Sequence, residues 1–499
     1  MNTGTKTAQA AATRREFLKR AACGAAALCS APAIMHSAAP AVAAAGGGPQ
    51  ERPNIILCMS DDQGWGDTSY NGHKVLKTPE LDAMAASGLR FNRFYAAHPQ
   101  CSPTRGSVLT GRHPNRYGCF QANMSIRPEE VTIGKVLKAA GYTTGHFGKW
   151  HVGPVKAGSP LSPVNCGFDE SLSHDNWFDL DPPLSRSGGP PQPFEGEPCE
   201  IVTDAALEFI RRQAAAKRPF LALLWFPNPH EPCRAAEKYK EPYKHLPERE
   251  QNYYGEVAAL DAGVGKLRKA LRDLGIADNT LLWFNSDNGP YINDPGSTGG
   301  LRGWKVTLWE GGIRVPGIIE WPARIKRPMV TDVPCSTCDI YPTIIDILGL
   351  KVPGQVEPID GISLAPLLEG RMTERPKPIG FWWNPRYSVT GPYLDADALT
   401  GTWRTFQNHR YQGPRRPNAG NEKAHQNEHA ALVDNRYKLH KLADGHLELY
   451  DLAADPAETK DLAQEKPEVV RSMAAALDAW QLSVERSLMG QDYPTRTGG

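Results

Sequence analysis

The chain lacks any strong bias of charge: its 499 residues include 56 basic and 55 acidic side chains, a formal net charge of +1. Such a balance offers no basic surface for nucleic acid or for an anionic membrane, so we expect neither as a partner. Long apolar runs are also missing: beyond the N-terminal segment no apolar stretch approaches the roughly 20 residues that span a bilayer, so we expect no membrane-spanning helix there. The composition, 40% hydrophobic, is typical of a globular protein with one large core and a smaller domain.

Cysteine is sparse and scattered, ten residues in all, two of them in the N-terminal segment. The one CxxC pair, Cys335 and Cys338, has no second pair to complete a four-cysteine zinc site. A redox role for this pair stays open, but structural cysteines near a helix start are the favoured interpretation. The spacing permits disulfides without requiring them.

The N-terminal segment has the features of a targeting sequence. Thr13–Lys19 matches the twin-arginine export pattern, and an Ala-rich, weakly apolar stretch follows up to about residue 45. Pro32 and Pro40 argue against the alternative, a basic amphipathic helix. We therefore expect a bacterial protein whose residues 1–45 are a signal peptide read by the twin-arginine export machinery. The mature protein would be periplasmic or secreted, with no membrane span.

Downstream, buried-strand patterns alternate with helical patterns, which predicts an α/β fold with a large, mostly parallel sheet flanked by helices. A helix with Thr78 as its N-cap is expected to end at Gly88. Further helices are predicted at 132–140, 204–216 and 257–274, and strands at 54–59, 142–147, 220–226 and 280–285.

The pattern changes after about residue 370. A long irregular region leads to a predicted hairpin at 436–452 and a closing amphipathic helix at 467–488. We therefore predict a catalytic α/β domain at 46–372 and a smaller α+β domain with an antiparallel sheet at 373–499.

Polar side chains follow four of the predicted strands at the point where each strand ends. In open α/β sheets ligands bind at the carboxyl ends of strands, so these side chains are expected to meet at one edge and form a site. They are Asp61 and Asp62 after the first strand, Lys149 and His151 after the second, His230 after the third, and Asp287 and Asn288 after the fourth.

Hard oxygen ligands are concentrated at two of these strand ends. For Asp61 and Asp62 alone, solvated or capping side chains are the simpler interpretation. The addition of Asp287 and Asn288 favours Ca²⁺ or Mg²⁺. Soft ligands are missing from these positions, which disfavours zinc.

Basic side chains are expected around the same edge, and together they suit an oxyanion such as sulfate or phosphate. Taken singly, each would be interpreted as an ordinary surface or core residue, and only their shared position at the sheet edge supports a role in binding. They are Arg105, Lys149, His151, His230 and Lys305.

Cys101 is predicted to lie at the start of a helix, because Pro103 suits a first helical turn. Unpaired backbone N–H groups and the helix dipole would favour an anionic group there, so a thiolate nucleophile is credible. A buried structural cysteine is the alternative.

Cys101–Arg105, followed by Leu109–Arg112, closely resembles the signature of type I sulfatases, whose cysteine is oxidised to Cα-formylglycine by a separate maturation enzyme. Thr104 stands where many members have serine. The resemblance covers most of the mature chain and also includes five further motifs: Asp61–Gly66, Gly148–His151, Pro229–Pro232, Ser286–Gly289 and Lys305–Pro316. It implies the fold of the alkaline phosphatase superfamily, a large α/β domain with a smaller C-terminal sheet domain.

The resemblance implies that hydrated formylglycine, formed from Cys101, attacks sulfur to give a sulfated enzyme intermediate. It also implies a Ca²⁺ ion, in preference to Mg²⁺, held by Asp61, Asp62, Asp287, Asn288 and the modified residue itself. An ordinary alcohol nucleophile would leave a stable sulfate ester, whereas a gem-diol can eliminate sulfate.

The remaining roles follow from the same resemblance. Arg105 and Lys149 neutralise charge around the nucleophile and the sulfate. His230, helped by Lys305, protonates the leaving alcohol. His151 takes a proton from the second hydroxyl of the gem-diol, so that sulfate leaves and the aldehyde returns.

Among sulfatases, the chain most resembles enzymes that act on carbohydrate sulfates, such as N-acetylgalactosamine-6-sulfatases, and arylsulfatase A-type enzymes. We expect a sulfated saccharide as substrate, from a glycosaminoglycan or another sulfated polysaccharide. The segment Trp382–His425 either shapes the sugar site or is a surface loop. A phosphate or phosphonate monoester hydrolase and a non-catalytic carbohydrate-binding relative are the alternative functions.

Overall fold

The computed structural model describes residues 52–383, 389–392, 415–417 and 428–493. The predicted signal peptide, and most of the segment 382–425, lie outside the described residues. Within the described part of the chain, every helix is too short or too polar to cross a membrane.

The described residues form nineteen strands and ten α-helices, with single-turn 3₁₀ helices at Ser69–Asn71, Pro114–Tyr117, Glu241–Tyr243 and Thr337–Asp339. The strands are β1 (Asn54–Ser60), β2 (Leu89–Phe91), β3 (Phe94–Tyr95), β4 (Thr143–Lys149), β5 (Glu170–His174), β6 (Pro183–Arg186), β7 (Pro191–Pro193), β8 (Phe220–Trp225), β9 (Thr280–Ser286), β10 (Arg314–Val315), β11 (Gly317–Glu320), β12 (Met329–Thr331), β13 (Cys335–Ser336), β14 (Ile379–Trp382), β15 (Val389–Pro392), β16 (Arg415–Pro417), β17 (Ala430–Val433), β18 (Tyr437–Lys441) and β19 (Leu447–Asp451). The helices are α1 (Pro79–Ser87), α2 (Cys101–Thr110), α3 (Ile133–Ala139), α4 (Pro198–Ala215), α5 (Glu237–Lys240), α6 (Glu248–Asp273), α7 (Glu310–Ile313), α8 (Ile340–Ile347), α9 (Ala365–Leu368) and α10 (Pro467–Leu488).

A ten-stranded sheet forms the centre of the larger part, in the order β12-β2-β11-β9-β1-β8-β4-β5-β6-β7. Its five middle strands, from β9 to β5, are parallel, whereas β11, β6 and β7 pair antiparallel with their neighbours. The predicted α/β class with a mixed, mostly parallel sheet is confirmed.

Both faces of this sheet are covered, which explains why β1 is apolar along its whole length. Ile55 and Leu57 point into one core cluster together with residues of α2, α3 and α8. Ile56 and Cys58 point to the opposite face, where α1, α4 and α6 pack.

Strand register brings the predicted site residues together. Ser60 of β1 is paired with Ser286 of β9, so the residues that follow, Asp61 and Asp287, leave the sheet side by side. Gly148 lies opposite Trp225 with a φ of +106°, and a Cβ there would sit 2.0 Å from the Trp225 carbonyl oxygen. This glycine lets β4 and β8 end at the same edge.

Helix α1 lies between Thr78 and Gly88 as predicted, whereas α4 begins at Pro198, before the predicted start at 204. Two further expectations about helices need correction. The Thr78 hydroxyl does not cap α1; it bonds with Ser69 and Asp82 instead. The Asp261 carboxylate of α6 accepts from the Glu80 and Leu81 amides, at 3.1 and 2.8 Å, and so caps α1 from a distant part of the chain.

Helix α6 also begins at Glu248, nine residues before the predicted start at 257. Its first turns are polar and lack an apolar stripe, so hydrophobic periodicity does not detect them. Helix α10, in contrast, has the predicted bounds of 467–488.

The predicted hairpin is confirmed as β18 and β19, two members of the antiparallel sheet β14-β17-β18-β19. Trp382, Leu439 and Leu449 of this sheet pack against Leu477 and Val484 of α10. The division of the chain at residues 372 and 373 stays a prediction.

All eight cysteines of the described residues are free. Cys335 and Cys338 are both buried, and burial raises the pKa of each thiol well above its usual value. Their positions just before α8 match the structural interpretation.

Candidate active site

The polar residues that follow the parallel strands do converge at one edge of the sheet, as predicted. All except His230 are at least nine-tenths buried. The set, completed by residues of α2 and of the loop before α7, is Asp61, Asp62, Cys101, Arg105, Lys149, His151, His230, Asp287, Asn288 and Lys305.

Cys101 is the first residue of α2 and is 1% exposed. Its Sγ donates a hydrogen bond to Asp61 Oδ1 at 3.4 Å and lies 3.6 Å from Lys305 Nζ. Burial raises the pKa of the thiol well above 9.0, although Lys149 and Lys305 oppose this effect. The expected thiolate is therefore disfavoured, because desolvation outweighs the nearby cations and the helix terminus.

Arg105 and Lys149 form a fully buried layer of positive charge next to Cys101. Arg105 Nη2 lies 2.8 Å from Asp287 Oδ2 and 3.6 Å from Asp61 Oδ1. Lys149 Nζ lies 2.6 Å from Asp61 Oδ2, and its backbone carbonyl accepts from Arg105. Each cation is thus oriented by a carboxylate, as a preorganised anion site requires.

Lys305 contacts both carboxylate oxygens of Asp62 at 2.6 Å. Although burial acts in the opposite direction, Lys305, His230 and Lys149 hold the pKa of Asp62 well below its usual value. Asp62 also has a positive φ of 64°, which is uncommon outside glycine and is often found at functional sites.

Asn288 is the residue whose hydrogen bonding points to a metal. Its Nδ2 donates to Asp62 Oδ1 at 2.7 Å, whereas its buried Oδ1 accepts from no described donor. Burial and repulsion from Asp61 raise the pKa of Asp287 to about 7. A hard cation would satisfy Asn288 Oδ1 and relieve this crowding of carboxylates, so the donor set fits Ca²⁺ or Mg²⁺.

A cluster of possible ligands within 4.8 Å of one another also includes Asp61, Asp62, Cys101 and His230. Asp287 lies beside this cluster, where its Oδ1 accepts from the Asp62 amide at 3.1 Å. The predicted metal residues are therefore neighbours.

The two predicted histidines face the site from different strands. His151 has a φ of 55° and its Nε2 lies 2.9 Å from Asn123 Oδ1. Burial, reinforced by Lys149 and Arg105, lowers the pKa of His151 well below 6.5. A neutral ring at this position is able to accept a proton.

His230 is held by the residues around it. Its Nδ1 donates to the Glu231 carbonyl at 2.6 Å, and its ring stacks on Trp177 at 5.8 Å and 10°. The opposite nitrogen, Nε2, lies 3.7 Å from Asp62 Oδ2. Burial lowers the pKa of His230 to about 3 despite Asp62, so Nε2 gains a proton only when a bound anion favours the imidazolium.

A cleft of about 990 Å³ opens over this centre and is lined by Asp62, His230 and Lys305. The size suits a saccharide rather than a small ion. Sequence reasoning assigned no role to the other lining residues, although three of them belong to the quoted motifs: Gln100, Trp177, Glu231, Pro232, Cys233, Glu248, Arg249, Asn252, Tyr291, Asp294, Pro295 and Val306.

A signal existed for Trp177 but not for most of the others. Trp177 follows β5 just as the predicted residues follow their strands, but Glu170–His174 has no apolar run, so its sequence does not predict a strand. Trp382, the first residue of the segment expected to shape the sugar site or to form a surface loop, is 1% exposed in the core of the smaller sheet. The rest of that segment, up to residue 425, lies outside the described residues apart from Trp383, 389–392 and 415–417.

A family model described as Sulfatase matches residues 53–350. N-acetylgalactosamine-6-sulfatase of Mus musculus is 35% identical over 375 residues, 66% of this chain and 69% of that protein. Arylsulfatase A of Homo sapiens is 35% identical over 352 residues, 64% of this chain and 68% of that protein. The crystal structure of Ps i-CgsB in complex with k-i-k-neocarrahexaose has a TM-score of 0.73 at 24% identity, and covers 89% of this chain and 98% of that one. The shared fold thus extends well past residue 350.

Proposed function

Because the chain belongs to the sulfatase family, and is thus a sulfuric ester hydrolase, we propose that it removes sulfate from a sulfated saccharide. The observation that supports this most is the placement of Cys101 beside Lys305 and Asp61, next to a cleft large enough for a sugar. The names of a relative and of a bound neighbour, an N-acetylgalactosamine-6-sulfatase and a complex with neocarrahexaose, support a carbohydrate substrate.

We propose further that Cys101 is converted to Cα-formylglycine by a maturation enzyme before the chain folds. A residue that is 1% exposed is inaccessible to another protein once α2 is packed, and a protonated thiol is a poor nucleophile. At this position a hydrated aldehyde supplies an oxygen nucleophile that can later release sulfate.

The chain's own residues then bind and orient the ester. Arg105 and Lys149 neutralise the sulfate oxygens, because both cations are already desolvated and fixed by carboxylates. Lys305 and His230 lie on the cleft side, where the leaving alcohol departs. His230 Nε2 donates a proton there once the bound anion raises the pKa of the ring.

Ca²⁺ is the proposed cofactor, held by Asp61, Asp62, Asp287 and Asn288 together with residue 101. When bound, it neutralises carboxylates and attracts a sulfate oxygen. Flexible oxygen coordination of this kind suits Ca²⁺ better than Mg²⁺, which requires near-ideal octahedral geometry.

Removal of the metal is expected to lower both activity and stability. We expect a chelator to reduce sulfate release at least about tenfold, and Ca²⁺ at 100 times its Kd to raise the free energy of unfolding by about 2.7 kcal/mol. Differential scanning calorimetry with Ca²⁺ or Mg²⁺ measures the second effect without any turnover. An Asn288→Ala variant should show a smaller calcium shift, and an unchanged unfolding temperature in wild type would contradict the site.

The proposed activity is tested by sulfate release from a panel of defined sulfated saccharides, with para-nitrophenyl sulfate and para-nitrophenyl phosphate beside them. We expect release from at least one saccharide, and a preference for the aryl sulfate over the aryl phosphate of at least about 100-fold. A phosphate preference would instead favour a phosphate or phosphonate hydrolase. Sugar binding without any sulfate release would favour a non-catalytic relative.

Export by the twin-arginine machinery to the periplasm or beyond is also part of the proposal, supported by Thr13–Lys19. That route carries folded proteins, so modification of Cys101 would have to precede both folding and export. The division into domains at 46–372 and 373–499 is likewise proposed.

A further inference from the structure

His151 is oriented by two side-chain amides, the first of which lies in the loop after β5. Asn176 Oδ1 accepts a hydrogen bond from the Trp177 backbone amide at 2.8 Å, and Asn176 Nδ2 donates to Asn123 Oδ1 at 3.1 Å. Asn123 Oδ1 in turn lies 2.9 Å from His151 Nε2. We refer to Asn176 and Asn123 as the amide pair.

The direction of each hydrogen bond in the amide pair follows from the backbone contact at its start. A backbone N–H can only donate, so the Asn176 atom that faces it is the oxygen and the atom that faces Asn123 is the NH₂ group. Asn123 therefore presents its oxygen to both of its neighbours. Because an amide oxygen cannot donate, its short contact with His151 requires a proton on Nε2.

The second ring nitrogen of His151 then carries the lone pair. Burial lowers the pKa of His151 well below 6.5, so the ring is neutral and has a single N–H. The Asn123 backbone amide lies 3.3 Å from Nε2 but is closer to Ser102 Oγ, at 3.0 Å. Its hydrogen bond therefore goes to the hydroxyl, and the proton on Nε2 leaves Nδ1 as the basic nitrogen.

The amide pair is also tied to the helix that carries the nucleophile. Ser102, whose hydroxyl accepts from the Asn123 amide, is buried and directly follows Cys101 on α2. Asn123 has a positive φ of 64°, and in this conformation its backbone contacts Ser102 while its side chain contacts His151. Asn123 thus fixes the ring of His151 relative to residue 101.

Resting on the proposed sulfatase activity, we propose that Asn123 and Asn176 are positioning residues for sulfate elimination: they hold His151 as the Nε2–H tautomer, so that Nδ1 accepts the hydroxyl proton of the sulfated gem-diol. The electrons of that O–H bond form the C=O bond of the aldehyde, and the C–O bond to sulfate breaks with its electron pair on sulfate. The earlier attack on sulfur does not use this proton transfer, so it is independent of the amide pair.

The test separates the two halves of the reaction with para-nitrophenyl sulfate. Release of para-nitrophenol in the first turnover reports attack on sulfur, steady-state release reports the complete cycle, and intact-protein mass spectrometry reports sulfate retained on residue 101. The variants are Asn176→Asp, Asn123→Leu, Asn123→Asp and, as a reference, His151→Ala. Asn279→Asp is the matched control, because Asn279 precedes β9 at the opposite edge of the sheet from the site. Thermal unfolding checks that each variant is folded.

Asn176→Asp is expected to impose the wrong tautomer on His151. Its carboxylate offers only acceptors, so the Asn123 amide turns its NH₂ group towards both neighbours and donates to Nε2. We expect steady-state turnover to fall about 10²- to 10⁴-fold, as when a general base is lost. One para-nitrophenol per active site should still be released at the wild-type rate, with sulfate retained on the enzyme as in His151→Ala.

The two Asn123 variants separate hydrogen bonding from packing. Asn123→Leu removes the acceptor for Nε2–H and should lower steady-state turnover about tenfold or more, again after a normal first turnover. Asn123→Asp keeps an acceptor at the same place and should recover most of this loss. If Asn176→Asp does not fold, this pair of variants decides the question.

The inference would be overturned by a first turnover that slows as much as the steady state, by enzyme without retained sulfate, or by equal turnover in the two Asn123 variants. Steady-state rates within about twofold of wild type in Asn176→Asp and Asn123→Leu would overturn it as well. The failure of the proposed function looks different, because wild type itself would then release no para-nitrophenol from the sulfate ester.

Discussion

Replacement of Cys101 by serine is expected to stop turnover and to leave the enzyme sulfated on residue 101 after one reaction. A serine hydroxyl attacks sulfur in the same pocket, between Lys305 and Asp61. It lacks the second oxygen from which sulfate is expelled, so the ester persists. We expect kcat to fall at least about 10³-fold, as when an enzyme loses its nucleophile.

Steady-state sulfate release and intact-protein mass spectrometry after incubation with substrate measure the two parts of this result. Cys199→Ala is a matched control, because Cys199 is buried and free but belongs to α4; its kcat should stay within about twofold of wild type. Unchanged turnover in Cys101→Ser would show that residue 101 is not the nucleophile.

Replacement of Lys438 by methionine is expected to cause the largest loss of stability. Lys438 on β18 is fully buried between Glu310 and Glu458, at 2.9 and 3.0 Å. Removing one partner of a buried ion pair leaves uncompensated charge and costs about 3–5 kcal/mol. Arg314, 3.6 Å from Glu310, compensates only in part. His440 lies 2.6 Å from Glu458 but adds no positive charge, because burial lowers its pKa well below 6.5.

The site should also lose activity in this variant, because Glu310 begins the turn that supports the metal residues. Gly312 in this turn accepts from the Gly289 amide at 3.0 Å. A Cβ on Gly289 would lie 1.9 Å from the Gly311 carbonyl oxygen. A shift of Glu310 is therefore transmitted to Asn288.

Urea unfolding measures the expected loss in Lys438→Met. Lys441→Met is the control on the same strand, because Lys441 pairs with Asp478, whose side chain is 64% exposed, and such a pair is worth about 0–1 kcal/mol. Equal free energies of unfolding for the two variants would contradict the account of the buried pair.

The convergence of the candidate site residues could be predicted from the sequence, because most of these residues follow predictable strands. Once β1 and β9 are placed as parallel neighbours, Asp61 and Asp287 must emerge together. His151 and His230 follow the same rule at β4 and β8. The sheet topology predicts that these residues lie close together, and the motif resemblance adds the role expected of each.

The cleft could not be predicted in the same way, because its lining depends on contacts between segments distant in sequence. Arg249, for example, lies in the polar start of α6, which hydrophobic periodicity does not detect. The capping of α1 by Asp261 could not be predicted for the same reason, because Asp261 is distant from α1 in the sequence. The burial that disfavours a thiolate at Cys101 could not be predicted either, because sequence spacing does not report desolvation.

The most direct test of the account is peptide mass spectrometry of the residue-101 peptide from active enzyme purified from its native host. The account predicts an aldehyde, trapped by a hydrazide reagent, in place of the thiol. Quantitative alkylation of an intact Cys101 thiol in fully active protein would contradict it.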